Sequence, residues 1–169
     1  MRDELQLYRQ LRKASETWHA KHGTEIMKYS KNGLLMTEKF EGLRLKAYQD
    51  QGGVWTIGYG HTGPEVRQGM EITQLEAENL LIKDVEIAEN FVNYFVKVHL
   101  NQNEFDALVD FTFNLGGGNL QKSTLLRLVN AGKFAEAAGE FHKWDKCCGI
   151  PLAGLLRRRE AEATLFIRK

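Results

Sequence analysis

The chain is 169 residues long, 43% hydrophobic and 27% charged, with a formal net charge of +1. Such a length holds one domain with a sizeable core, or two small lobes sharing a helix, and the composition is that of an ordinary globular protein. The near-neutral balance excludes a nucleic-acid binder driven by bulk charge, and no apolar run approaches the roughly 18 residues of a membrane-spanning helix.

The N-terminal segment, MRDELQLYRQLRKASETW, has neither a continuous apolar stretch nor a small-residue cleavage site. It does not have the pattern of a signal peptide, so accumulation in the cytoplasm is expected. Leu7, Leu11, Ala14 and Trp18 recur at helical spacing, with Leu5 and Tyr8 on a neighbouring stripe, which predicts an amphipathic helix. Gly23 can close it. Residues 1–26 are therefore read as an extension that docks on the rest of the chain, touches a partner, or frays.

Asn32 is the predicted cap of a helix over 33–41, with Leu34, Leu35, Met36 and Phe40 apolar. The period then changes to that of strands, at 44–48 and 54–59, around the turn Asp50-Gln51-Gly52-Gly53. Glycines at 58, 60 and 63 mark bends or close backbone approach. The capping box Thr73-x-x-Glu76 opens a long helix reaching about Phe91 or beyond. Helical patterns follow at 102–115, 123–131, 133–144 and 155–167, punctuated by Gly116-Gly117-Gly118 and Gly149-Ile150-Pro151. The expected architecture is α+β: a small sheet-containing lobe (27–75), a connecting helix (76–95) and a larger all-helical lobe (96–169). A cleft between such lobes suits an extended ligand.

The only cysteines, Cys147 and Cys148, are adjacent. A mutual disulfide would be strained and a metal site needs more ligands, so two reduced thiols and no metal or other cofactor are expected. Residues 143–169 carry seven Lys or Arg against three acids. This basic end fits a polyanionic surface or simply a solvated helix face.

The chemistry concentrates between Glu38 and Thr62. Glu41 ends a helix and backs onto Leu35, Phe40, Leu43 and Leu45, so partial burial should keep its proton on. Asp50 sits in an open glycine-rich turn, where it should stay ionised. Two carboxylates pushed apart in this way are what glycosidic hydrolysis requires, one to protonate the leaving oxygen and one to handle water or a cationic centre. Each residue alone is more simply a helix-end acid or an Asx-turn residue. With Thr56 at this spacing they form a candidate site.

The run Glu41-Gly42-Leu43-Arg44-Leu45-Lys46-Ala47-Tyr48-x-Asp50, followed by Thr56-Ile57-Gly58-x-Gly60-His61, resembles the active-site signature of the phage-type lysozymes, or endolysins. The resemblance continues through Asn101-Gln102-Asn103, Phe113-Asn114-Leu115-Gly116, Ser123-Thr124-Leu125-Leu126, Trp144 and Gly154-Leu155-x-Arg157-Arg158-Arg159-x-x-Glu162, and so covers about 27–169. It implies a muramidase cutting between N-acetylmuramic acid and N-acetylglucosamine in peptidoglycan glycan strands. Glu41 would be the general acid, and Asp50 with Thr56 would hold the attacking water, giving inversion at the anomeric carbon.

The resemblance also implies that His61 pairs with Asp84 as structural support. Phe113, Asn114, Ser123 and Thr124 would line the cleft, although Phe113 is equally a core residue and Ser123 or Thr124 a helix cap. Trp144 should be core. Of the three consecutive arginines, one can pair with Glu160 or Glu162. A monomer is expected, with access to the wall through a holin. The rival functions are a lysozyme-fold protein that binds peptidoglycan without cutting it, a membrane-disrupting activity of the termini, and a lytic transglycosylase.

Overall fold

The computed structural model describes residues 2–50 and 52–169, the side chains of 2–5 and 7 apart. Gln51 of the expected turn, and the side chains of Leu5 and Leu7, lie outside the described residues. The first helix, α1, is Arg2–His22, and Gly23 leaves it at φ +66°. Its inner face keeps Leu11 and half-buried Trp18 of the expected stripe but departs from it at Ala14. Leu11 and Ser15 are buried while Ala14 is exposed, and Tyr8 meets Phe91 edge-on at 6.0 Å. The partner surface, not the apolar periodicity alone, sets which residues turn inward.

Helix α2 is Lys31–Glu41, and its cap is Ser30 rather than Asn32. Either residue type can cap. Ser30 prevails because Asp106 accepts hydrogen bonds from both its hydroxyl and its N–H (3.0 Å for the latter), while Oγ still accepts from Gly33 N at 3.2 Å. A tertiary partner thus moves the helix start. Beyond Gly42, strands β1 (Arg44–Gln49), β2 (Trp55–Gly58) and β3 (His61–Thr62) form an antiparallel sheet in that order. The predicted single strand over 54–59 ends at Gly58, because Gly58 and Gly60 (φ +67° and +94°) fold the chain back as β3.

Helix α3 (Gln74–Phe95) begins at the expected capping box: Thr73 N donates to Glu76 Oε2 at 2.7 Å and Glu76 N to Thr73 Oγ1 at 3.2 Å. It carries the sheet on one flank and α1 on another. Helix α4 (Gln102–Leu115) runs through the centre, every residue from Phe105 to Thr112 buried. Around it lie α5 (Gly117–Lys122), α6 (Thr124–Asn130), α7 (Phe134–Glu140), a 3-10 turn over Phe141–Trp144, and α8 (Ala153–Phe166). The sequence patterns miss α5, whose first residue stands in the triple glycine. A Cβ at Gly117 would lie 2.4 Å from the Phe91 ring, so the glycine there serves helix packing. A two-residue-strand hairpin, β4 (Lys146–Cys147) and β5 (Ile150–Pro151), leads into α8. Phe111, Phe141, Phe166 and Trp144 pack with rings edge-on or tilted, 5.4–5.5 Å apart, as the core of this helical lobe.

Candidate active site

Glu41 is the last residue of α2, and Gly42 leaves at φ +72°. Of the apolar backing expected for Glu41 only Phe40 remains, half-buried in the same groove wall: Leu35, Leu43 and Leu45 are 52%, 38% and 40% exposed. In place of the rest stands a guanidinium. Arg158 Nη1 donates to Glu41 Oε1 at 2.5 Å, and the Glu41 side chain is 23% exposed. The other oxygen, Oε2, faces the β2–β3 turn, where a Cβ at Gly60 would sit 3.8 Å away.

Arg158 is itself clamped. Its Nε and Nη2 donate to Asp110 Oδ2 and Oδ1 at 2.8 and 2.9 Å, a bidentate pair that is wholly buried on the Asp110 side. Burial works against the charge on Arg158, but Asp110 and Glu41 overcome it and leave the arginine more firmly protonated than usual. Burial likewise opposes the Asp110 carboxylate, and Arg158 outweighs it, so Asp110 is held below the ordinary carboxylate range. Thr37 donates to Asp110 Oδ1 at 2.6 Å, and the Tyr29 hydroxyl lies 2.7 Å from Thr37 Oγ1. A continuous buried chain therefore runs from Tyr29 through Thr37, Asp110 and Arg158 to Glu41.

The neighbouring Arg159 donates to Glu162 Oε1 at 2.7 Å and to Asn114 Oδ1 at 2.9 Å. Burial, reinforced by Asp110, pushes the Glu162 carboxyl well up. The arginine run thus places Arg158 and Arg159 inside the fold, and of the two expected acids Glu162 is the partner. The sequence reading misses Arg158 and Asp110 as parts of the site. The signal available was Asp106 and Asp110, one helical turn apart in the otherwise apolar stretch Phe105–Phe111 of α4.

Asp50 and Thr56 meet at Val54. Asp50 Oδ1 accepts from Gly52 N and Val54 N, both at 2.8 Å, and Thr56 Oγ1 donates to Val54 O at 3.1 Å. Asp50 is exposed, whereas Thr56 is buried in β2 opposite Tyr48 and Thr62. Since the Thr56 proton is committed to Val54, its oxygen faces any further partner as an acceptor.

His61 Nδ1 lies 2.8 Å from Asp84 Oδ2, and Nε2 lies 2.9 Å from Glu65 Oε1. Burial disfavours the imidazolium, but the hydrogen bonds to Glu65 and Asp84 win, so His61 is raised above the ordinary histidine value. Glu65 is lowered, chiefly by His61.

A groove of about 1260 Å³ runs between α2 and α8, with Glu41, Phe40, Asn114, Leu152 and Arg158 in its walls. Of the expected cleft residues it brings together Glu41 and Asn114. Phe113 packs half-buried against the core instead. Ser123 is buried and caps α6: its hydroxyl donates to Leu120 O at 2.7 Å and accepts from Leu126 N at 3.0 Å. Both bonds go to backbone. Thr124 is exposed beside it. Among the described residues no three His, Cys, Asp or Glu side chains converge as metal ligands, and no helix is long and apolar enough to cross a membrane.

The chain is similar to known proteins in sequence and in fold. The family profile "Phage lysozyme" matches residues 38–162. An endolysin of Bacillus phage B103 is 46% identical over 83% of this chain, which spans 54% of that relative. An endolysin of Acyrthosiphon pisum secondary endosymbiont phage 1 is 43% identical over 83% of this chain and 98% of its own length. The solved muramidase domain of SpmX from Asticaccaulis excentricus superposes with a TM-score of 0.79 at 41% identity, covering 84% of this chain and 99% of that one. The chain spans about half of the first relative and nearly all of the second, and it belongs to the phage lysozyme family of glycoside hydrolases.

Proposed function

We propose that the protein is an endolysin that hydrolyses the β-1,4 bond between N-acetylmuramic acid and N-acetylglucosamine in peptidoglycan, with Glu41 as general acid. The observation that carries this is the orientation of the Glu41 carboxyl. Arg158 donates to Oε1, which leaves the transferable proton to Oε2, on the side of the sheet. Asp110 takes two donors of Arg158, and the third fixes the direction in which the Glu41 carboxyl points.

Asp50 and Thr56 hold the water on the opposite face of the sugar. Both offer acceptors, Thr56 because its own proton is spent on Val54 O. A water that donates one hydrogen to each directs its lone pair at the anomeric carbon. Water arriving there inverts the centre, a geometry that needs carboxyls about 6.5–9.5 Å apart. The retention of Asp50 and Thr56 favours hydrolysis over a transglycosylase, in which the sugar's own hydroxyl displaces the leaving group. Residues 1–26 extend a lysozyme-like unit over 27–169. The enzyme reaches the wall after release from the cytoplasm by a holin, and host lysis follows.

Glu41→Gln tests the proposal on purified peptidoglycan. Turnover is expected to fall about 10²–10⁴-fold, the usual worth of a positioned acid. The wild-type products should carry reducing muramic acid ends, one water heavier than anhydro ends, and the α-anomer should form first. Lysis of permeabilised cells by the variant at the wild-type rate would sink the catalytic reading.

A further inference from the structure

The β4–β5 hairpin has a feature that glycan cleavage does not use. Its turn is Cys148-Gly149, both at positive φ (+52° and +81°), the pattern of a type I′ turn between the paired residues Cys147 and Ile150. Cys148 is the only non-glycine residue at positive φ among those described. Asparagine and glycine are the usual occupants of such a position, and side chains held there against their preference cluster at functional sites. Here it brings two exposed thiols together: Cys147 Sγ donates to Cys148 Sγ at 4.0 Å. That hydrogen bond raises the Cys147 thiol above its ordinary value.

We propose that Cys147 and Cys148 form a redox modification site, at which a low-molecular-weight disulfide oxidises the pair to a vicinal disulfide within the hairpin. The Cys148 thiolate attacks one sulfur of the small disulfide; a Cys148–sulfur bond forms, the small S–S bond breaks, and the departing thiolate takes up a proton. Cys147 then loses its proton to water and attacks Cys148 Sγ, expelling the second small thiol. Two protein thiols are oxidised and one small disulfide is reduced. The second step is intramolecular between side chains already in contact, which favours it over capture of another chain. Adjacent Cα atoms lie only about 3.8 Å apart, below the usual disulfide range, so the bond is strained and readily reduced. The site therefore stays reduced where thiols dominate and closes where disulfides do.

Closure bears on the groove. The hairpin runs into Leu152, Ala153 and Gly154, which line the same walls as Glu41 and Arg158, and Leu152 N donates to Asp145 O across the hairpin base at 2.9 Å. Drawing the sulfurs from 4.0 Å to about 2.05 Å must re-form a turn only two residues long. The hairpin's exposure and short strands let it do so without unfolding the lobe.

The test uses the full chain equilibrated in graded ratios of reduced to oxidised glutathione, trapped with iodoacetamide and read by mass spectrometry. The expected product is a monomer whose Cys147-Cys148 peptide is unalkylated and two hydrogens lighter, reverting in dithiothreitol. Full alkylation at every ratio, or glutathione adducts and disulfide-linked dimers as the sole products, overturns the site. In parallel, KM and kcat on peptidoglycan are compared for both forms and for Cys147→Ser/Cys148→Ser. A raised KM on oxidation, absent from the double variant, supports the coupling to the groove, and identical constants overturn it. Only this second arm rests on the muramidase reading. A chain that oxidises as expected but turns over glycan in neither form counts against that reading and leaves the site standing.

Discussion

Arg158 joins parts of the molecule that are 48 and 117 residues away in the chain, Asp110 and Glu41. Replacing one member of a buried pair leaves its partner's charge uncompensated, which costs about 3–5 kcal/mol. Arg158→Met is expected to lose stability on that scale in urea unfolding at neutral pH, and to lose turnover as Glu41 is freed. An unchanged midpoint would show the pair to be energetically idle. His61 belongs to a different balance. Its value is raised in the folded state, so its ion pairs stabilise fully below the unfolded histidine value of about 6.5 and fade as pH rises through the raised one. Glu65 is lowered, so its share is present above the unfolded carboxylate value and is lost in acid. His61→Asn should therefore lower Tm most near pH 6, with the gap narrowing in alkali, while much of the activity persists. Wild-type stability with abolished turnover would make His61 catalytic instead.

At the scale of elements, α2 delivers Glu41 and is held at both ends. Ser30 anchors its start to Asp106, and further along Thr37 reaches Asp110. Between them, Tyr29 packs over Gly33, donating to Gly33 O at 2.8 Å, and a Cβ on that glycine would fall 2.3 Å from the ring. The ring cannot retreat without breaking its bonds to Gly33 and Thr37. Gly33→Ala should destabilise by about 1–3 kcal/mol, the usual cost of overpacking, and should reduce turnover by tilting α2. A thermal melt beside an activity assay decides, and an alanine variant at least as stable as the parent would refute the packing argument. Helix α8 contributes from the opposite side, with Arg158 and Arg159 buried and Glu162 beneath them. Its charged inner residues depress any amphipathic signal, which explains why three arginines in a row look like a surface feature in the sequence.

The whole molecule adds α1 to the family unit. The helix lies along α3, with Leu11 and Ser15 buried, His19 Nε2 donating to Asn93 O at 3.1 Å, and Lys97 Nζ over the Trp18 ring at 4.6 Å. The matched family region begins at 38, and the groove between α2 and α8 has no α1 residue in its walls. Deleting residues 1–23 should therefore lower Tm, because the α3 face around Phe91 is uncovered, while kcat on peptidoglycan stays near wild type. A large loss of kcat with Tm unaltered would give α1 a direct part in catalysis.

Local order was legible in the sequence wherever neighbouring residues decide it. The capping box at Thr73, the bounds of α4 and the Asp50 turn follow from hydrogen bonds spanning two to four residues, and each appears as expected. The spacing of Glu41, Asp50 and Thr56 likewise carried the family signature. Tertiary structure decided the rest, because the partners lie far along the chain. Ser30 replaced Asn32 as a cap through Asp106, and Ser15 replaced Ala14 on the buried face of α1. The environment of Glu41 changed most. Its flanking leucines suggested an apolar pocket, but side chains adjacent in sequence radiate in different directions, and the residue that reached the carboxyl was Arg158. A charge needs a partner once it is buried, and only the folded chain determines which one arrives.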